Sequence, residues 1–281
     1  MLIRTKSILA MSVICAIQTS YAQEAGRIQA GQFDLIPSFS SSMAYVDNVA
    51  YARDDDPKIY SWRATLSPEL IAATEVDGNP VQIGYRLERG VFFSSSADDY
   101  TDHFAEASGQ FELNSRHRVN AIAQFEDGHE ERGTGFSLGL GTAITTPDRY
   151  ISTAFGGEYV YGAVTSDGML TFRANRETLD YDRSEQAYLI RDRVKNLVGA
   201  EFGYRIGSAT TALLDISQTS VRYDNQIGIV TRDSDEIRAL LGLRWESTAA
   251  TTVVIKKKTL MRLKEARFMA QIGKSVLIGN H

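Results

Sequence analysis

Beyond its first 22 residues the chain has no cysteine. Cys15 is the single one, so disulfides and thiolate metal sites are excluded from everything that follows. Proline is scarce, at 5 residues. No stretch after the N-terminal run approaches 18 consecutive apolar residues, which excludes a membrane-spanning helix. Lysine is nearly missing from the body: between Gln23 and Thr252 only Lys58 and Lys195 occur. That body is acidic, which argues against a nucleic-acid partner. What the chain does have is aromatic residues, 13 Tyr and 12 Phe.

The first 22 residues read as a leader. "MLIRTK" supplies Arg4 and Lys6, "SILAMSVICAI" is an apolar run too short to cross a bilayer, and "SYA" places small residues before Gln23. This is the pattern of a secretory signal peptide, cleaved after Ala22. Ile14 before Cys15 does not suit a lipoprotein signal.

The body alternates. In "PVQIGYRLE", Val81, Ile83, Tyr85 and Leu87 interleave with Gln82, Gly84, Arg86 and Glu88. A period of two means an extended strand with one apolar and one polar face. Ten such segments are predicted at 32–48, 58–74, 79–93, 103–113, 116–126, 150–164, 168–181, 193–206, 209–223 and 235–246. The links between them alternate between long and short. "YARDDDP" and "DRSEQAYLIRD" are long, whereas "EVDGN", "NSR" and "GS" are tight-turn sequences. "GFSLGLGTAI", inside the third long link, reads as a possible additional short strand.

Long loops at one end and short turns at the other are the rhythm of an up-and-down transmembrane barrel. A tilted strand needs about 9–11 residues in lipid, which these segments supply. Tyr45, Tyr60, Phe92, Phe93, Tyr161, Tyr223 and Trp245 stand near strand ends, where interfacial girdles belong. The expected fold is therefore all-β: an antiparallel up-and-down outer-membrane β-barrel over residues 23–252, with about ten strands visible and the barrel truncated or incomplete, after the signal peptide at 1–22.

Parity then assigns the functional candidates. The charged side chains predicted to face the lumen are Arg63, Glu69, Arg86, Glu88, Glu106, Glu158, Arg173, Glu201, Arg205, Arg238 and Arg244. They can brace the wall as an ion-pair ladder, or hydrate a conduit and hydrogen-bond sugar hydroxyls. Catalytic candidates are poor. "EDGHEERG" (Glu126, Asp127, His129, Glu130, Glu131) offers one imidazole and no standard ligand spacing. "DDD" (Asp54 to Asp56) lacks the glycine and distal glutamate of a calcium loop. His103, His117 and His129 have no G-x-S-x-G elbow to serve. No enzymatic activity, metal or cofactor is expected.

The order "GQFDLIPSFSSSMAYVDNVAY", "YSWRATLSPEL", "VQIGYRLERGVFFSSSADDYTDHF" and "EDGHEERGTG" resembles the β-barrel porin family found beside exopolysaccharide and capsule genes. The F-x-x-x-P strand and the Tyr-x-Asp-Asn element fall at Phe33, Pro37, Tyr45, Asp47 and Asn48. The resemblance runs from about Gly31 to Thr252. It implies a barrel in the outer membrane of a Gram-negative bacterium that assists export or anchoring of a surface polysaccharide. The expected partners are membrane lipid, lipopolysaccharide, the polymer and its export machinery, and no catalytic residues carry over. A general diffusion porin and a structural or adhesive barrel are the alternative readings.

The last 29 residues, 253–281, break the pattern. They hold five lysines, two arginines and one acid, and alternation ends at "KKK". An eleventh strand is expected to begin with "TTVVI" and to stop there. A reading-frame shift near Val253 accounts for the change. The rival reading is an amphipathic helix with Leu260, Leu263, Arg267 and Phe268 on one side.

Overall fold

The computed structural model describes residues 26–262, apart from 139, 142, 183–189, 226–230 and 249–250. The signal peptide and the chain beyond 262 lie outside the described residues.

One antiparallel sheet contains every strand, and each strand pairs with its neighbours in chain order. The strands are β1 (Ile28–Ala30), β2 (Phe33–Val46), β3 (Ser61–Val76), β4 (Asn79–Phe92), β5 (Tyr100–Asn114) and β6 (His117–Glu130). They continue as β7 (Asp148–Tyr161), β8 (Gly168–Tyr181), β9 (Arg193–Arg205), β10 (Thr210–Tyr223), β11 (Ser234–Thr248) and β12 (Thr251–Arg262). The ten segments read from alternation are β2 to β11. The short β1 covers the start of β2, pairing Ile28 with Leu35.

Local chemistry sets the hairpins. Asp77 and Gly78 both have positive φ, 51° and 77°, the type I′ geometry whose twist matches the flanking strands. At the opposite end the links are 47–60, 93–99, 131–147, 182–192 and 224–233, referred to here as L1 to L5.

Three sequence expectations need correction. β6 runs on to Glu130, so "EDGHE" is strand rather than loop. The described part of "GFSLGLGTAI" is a 3-10 turn at Gly135–Ser137 with bends, and not a strand. Gly133 and Gly135 adopt φ of 76° and 53°, which turns the chain back before a ladder can start. β12 does not stop at the lysines. Its backbone stays paired with β11 through Leu241↔Lys257 as far as Glu236↔Arg262, because a ladder is built from main-chain groups. The helical reading therefore fails for Leu260. Leu263, Arg267 and Phe268 lie outside the described residues.

Most of the exposed large apolar side chains point away from the polar face. Trp62, Leu66, Leu70, Ile83, Phe155, Phe202, Ile216 and Leu241 are all exposed, as the lipid side of a barrel requires. Tyr45 meets Trp62 edge-on at 5.5 Å near the L1 end. Tyr204, at the short-turn end, stacks with Phe202 further along the strand at 6.4 Å. Among the described residues, no pairing joins β12 to β1 or β2, so the sheet is open there.

L1 folds inward over the polar face. Val49 is 3% exposed and packs with Phe92 and Tyr100, both polar-face residues of β4 and β5. L3 clamps it. A Cβ on Gly141 would fall 1.7 Å from the Ala50 carbonyl oxygen, and one on Gly133 2.2 Å from it. Gly141→Val should therefore push L1 out of the mouth. The expected result is faster protease cleavage in L1, near Arg53 or Lys58, with unchanged heat-modifiable mobility of the barrel.

Candidate functional site: the polar face

The pairing registers fix which side chains share a face. Starting from Glu69↔Arg86 in β3 and β4, the ladder continues through Gly84↔Glu106, Glu106↔Gln124, Asn120↔Glu158 and Glu158↔Arg173. It then passes Thr171↔Glu201, Glu201↔Asp215 and Thr211↔Arg244. Followed this way, Arg63, Glu69, Arg86, Glu88, Glu106, Glu158, Arg173, Glu201, Arg205, Arg238 and Arg244 all lie on one face.

They do not form one network. On β3 and β4, Arg86 pairs with Glu88 at 2.8 Å and lies 3.8 Å from the centroid of the Phe104 ring. Glu69 accepts from the Ser38 hydroxyl at 2.8 Å. Glu106 accepts from the Gln124 amide at 2.8 Å. On β8 to β11, Arg173 reaches Asp215 at 2.5 Å and Arg244 reaches Glu201 at 3.0 Å. The Arg173 bridge skips a strand. It passes over Gly199 of β9, where a Cβ would come within 3.2 Å of the arginine Nε. The remaining four are separate, and one of them, Glu158, accepts from the Asn120 amide at 3.5 Å. Arg238 pairs with Glu236 at 3.0 Å, Arg63 with Glu131 at 2.8 Å, and Arg205 donates to the Val164 carbonyl at the turn end.

Several residues that organise this face were missed from the sequence. Asp215 is 4% exposed, and the parity of Thr211, Leu213, Asp215 and Ser217 against Ala212, Leu214 and Ile216 was enough to find it. Glu126 accepts from Tyr150 at 2.7 Å, and Glu130 accepts from Tyr181 at 2.7 Å. Only the true length of β6 reveals that Glu130 belongs to this wall. A cavity of about 490 Å³ opens on the face, lined by Glu69, Gln82, Arg86, Phe104, Glu106, Gln124, Glu126, Asn175 and Glu177, among others.

The acidic "EDGHEERG" run is distributed rather than gathered. Asp127 pairs with Arg149 at 2.5 Å, His129 with Asp102 at 2.8 Å, Glu130 with Arg191 at 2.6 Å and Glu131 with Arg63. Among the described residues, no group of three His, Asp or Glu side chains is arranged to hold a metal. In L1, Asp54 pairs with Lys58 at 3.2 Å. His103 bonds the Tyr85 hydroxyl at 2.7 Å, and His117 bonds that of Tyr159 at 2.6 Å. These two histidines open β5 and β6 and so stand at opposite ends of that hairpin.

The long loops are tied down by charge. Arg132 of L3 is 7% exposed and grips Asp98 of L2 through two guanidinium nitrogens, while also donating to the Ile144 carbonyl at 3.0 Å. Burial, and then the hydrogen bond to Glu131, push the Tyr51 hydroxyl up in pKa. Burial also raises the Asp192 carboxyl, with Asp180 and Asp224 adding to the rise and the Tyr181 N–H opposing it.

A family model described as "Putative beta-barrel porin 2" matches residues 22–253. The chain belongs to this family. The polar face is accordingly the one that such a barrel turns to its lumen, and the apolar face meets outer-membrane lipid. Neither the curated proteins nor the solved structures yield a match to the barrel. The family match ends at 253, the residue at which the composition changes.

Above the apolar band the outer wall turns polar. Asp127–Arg149, Arg222–Asp235 at 2.6 Å and Arg176 bonded to Asn196 at 3.1 Å stand toward the long-loop end of this face. That is the height of lipid headgroups if the long loops are extracellular.

Proposed function

We propose that the barrel assists export or surface anchoring of an exopolysaccharide, without catalysing a reaction. The observation that carries the reading is the lumen wall itself. Carboxylates, amides and hydroxyls line a cavity beside the Phe104 ring, a surface suited to a hydroxyl-rich chain. In this reading the leader is removed before Gln23 and the protein inserts in a Gram-negative outer membrane. Lipid and lipopolysaccharide surround it, and the polymer and its export machinery are its partners. The basic composition from Val253 is read as introduced by a frame shift, although the backbone as far as Arg262 pairs with β11. Deleting the gene should reduce surface polysaccharide several-fold while uptake of small solutes stays normal.

The rival reading is a general diffusion porin, which the family description favours. Slowed nutrient entry with unchanged polymer in the deletion strain would decide for it. The inward fold of L1, with Val49 on Phe92 and Tyr100, supports a guarded conduit over a freely open one.

A further inference from the structure

Positive and negative groups on the polar face are not held alike. Four of the arginines are matched by acids: Arg86 by Glu88, Arg173 by Asp215, Arg244 by Glu201 and Arg63 by Glu131, whereas Arg118 and Arg205, at the turn end, donate to the Gly162 and Val164 carbonyls. The cavity carboxylates of β3 to β6 are held by neutral donors instead. Glu69 takes a serine hydroxyl, Glu106 a glutamine amide and Glu126 a tyrosine hydroxyl. A hydroxyl or amide satisfies one lone pair of a carboxylate and leaves its charge in place. Arg86 is the one cation among the cavity's lining residues, and its nearest carboxylate partner is Glu88.

A low-dielectric wall focuses the field of such uncompensated groups into the space it encloses. The far side cancels little of it, because Arg173, Arg244 and Lys195 are already engaged by Asp215, Glu201 and Glu177, and Arg205 stands away at the turn end against the Val164 carbonyl. We infer that the polymer this barrel takes carries no negative charge, and that amine-bearing sugars are preferred over neutral ones. Uronate-rich or phosphorylated polymers are repelled by the β3 to β6 wall. This rests on the polysaccharide reading above and names the class of polymer within it. Phe104, capped on one side by Arg86, adds an aromatic surface for a sugar ring.

The test uses the full chain, refolded in detergent, and three soluble probes of equal length: oligomers of glucosamine, N-acetylglucosamine and galacturonate. Binding is followed by calorimetry at low and high salt. The glucosamine oligomer should bind at least tenfold tighter than the neutral one, and the galacturonate oligomer should not bind. Raising salt to about 1 M, where the Debye length falls to about 3 Å, should erase the preference. Combining Glu69→Gln, Glu106→Gln and Glu126→Gln should weaken glucosamine binding about tenfold relative to the neutral oligomer and so erase the preference. The salt series needs no variant, so a misfolded triple mutant does not rescue the idea. Equal or tighter binding of galacturonate overturns the charge preference and leaves the polysaccharide reading standing. Absence of binding by all three oligomers overturns the preference as well, and the deletion phenotype then judges the polysaccharide reading separately.

Discussion

Arginine in place of Leu214 should destabilise the barrel by about 2–4 kcal/mol, the usual cost of a cation at mid-depth on a lipid-facing wall. Leu214 lies opposite Phe202 on β9 and Leu241 on β11, so its row is apolar on both sides. Each of the three is more than 40% exposed in the protein alone. Gln82→Arg is the matched control on the polar face, where water and carboxylates receive the charge, and about 0.5 kcal/mol or less is expected. Urea titration in vesicles, read by the fluorescence of Trp62 and Trp245, separates the two. Equal losses at both positions would mean that the faces are assigned the wrong way round. Glu201 is unsuitable as a neutral control, since Glu201→Gln would weaken the pair with Arg244.

Asp98→Asn is expected to have the second large effect, but a local one. Removing one partner of a buried ion pair costs about 3–5 kcal/mol when the other charge stays buried. Arg132 need not stay buried, because L3 can lift away and hydrate it. The cost is then limited to that of opening the loop. L3 should become cleavable at Arg132 by trypsin at least tenfold faster, while strand pairing and urea midpoint stay near wild type. Slow cleavage with a lowered midpoint would show instead that L3 is integral to the barrel wall.

Alternation made the strands legible, because a half-buried sheet must present one chemistry to each side. That is why β2 to β11 were readable, and why eleven charged residues could be assigned to a common face from parity. The ends of the strands were not readable in the same way. In "EDGHEERG" the polar residues extend past the membrane, where no apolar face is required, so β6 looked shorter than it is. Loop packing was invisible for a different reason. That Gly141 and Gly133 must be small depends on Ala50, some ninety residues earlier in the chain, and no local pattern records such an encounter. The partners of the charges were equally hidden: parity places Arg173 on a face but cannot say that it reaches past its neighbour to Asp215.

That reach gives the wall an uneven stiffness. Adjacent strands joined only by main-chain hydrogen bonds can pivot about one another like slats. The Arg173–Asp215 bridge over Gly199 ties β8 to β10 and so braces three slats into one panel. Across β3 to β6 the polar-face bonds of Glu106 and Glu126 connect near neighbours through neutral donors and offer less bracing. A conduit built this way widens on its pliant side, so the segment that yields to a passing chain is also the segment that carries the uncompensated charge.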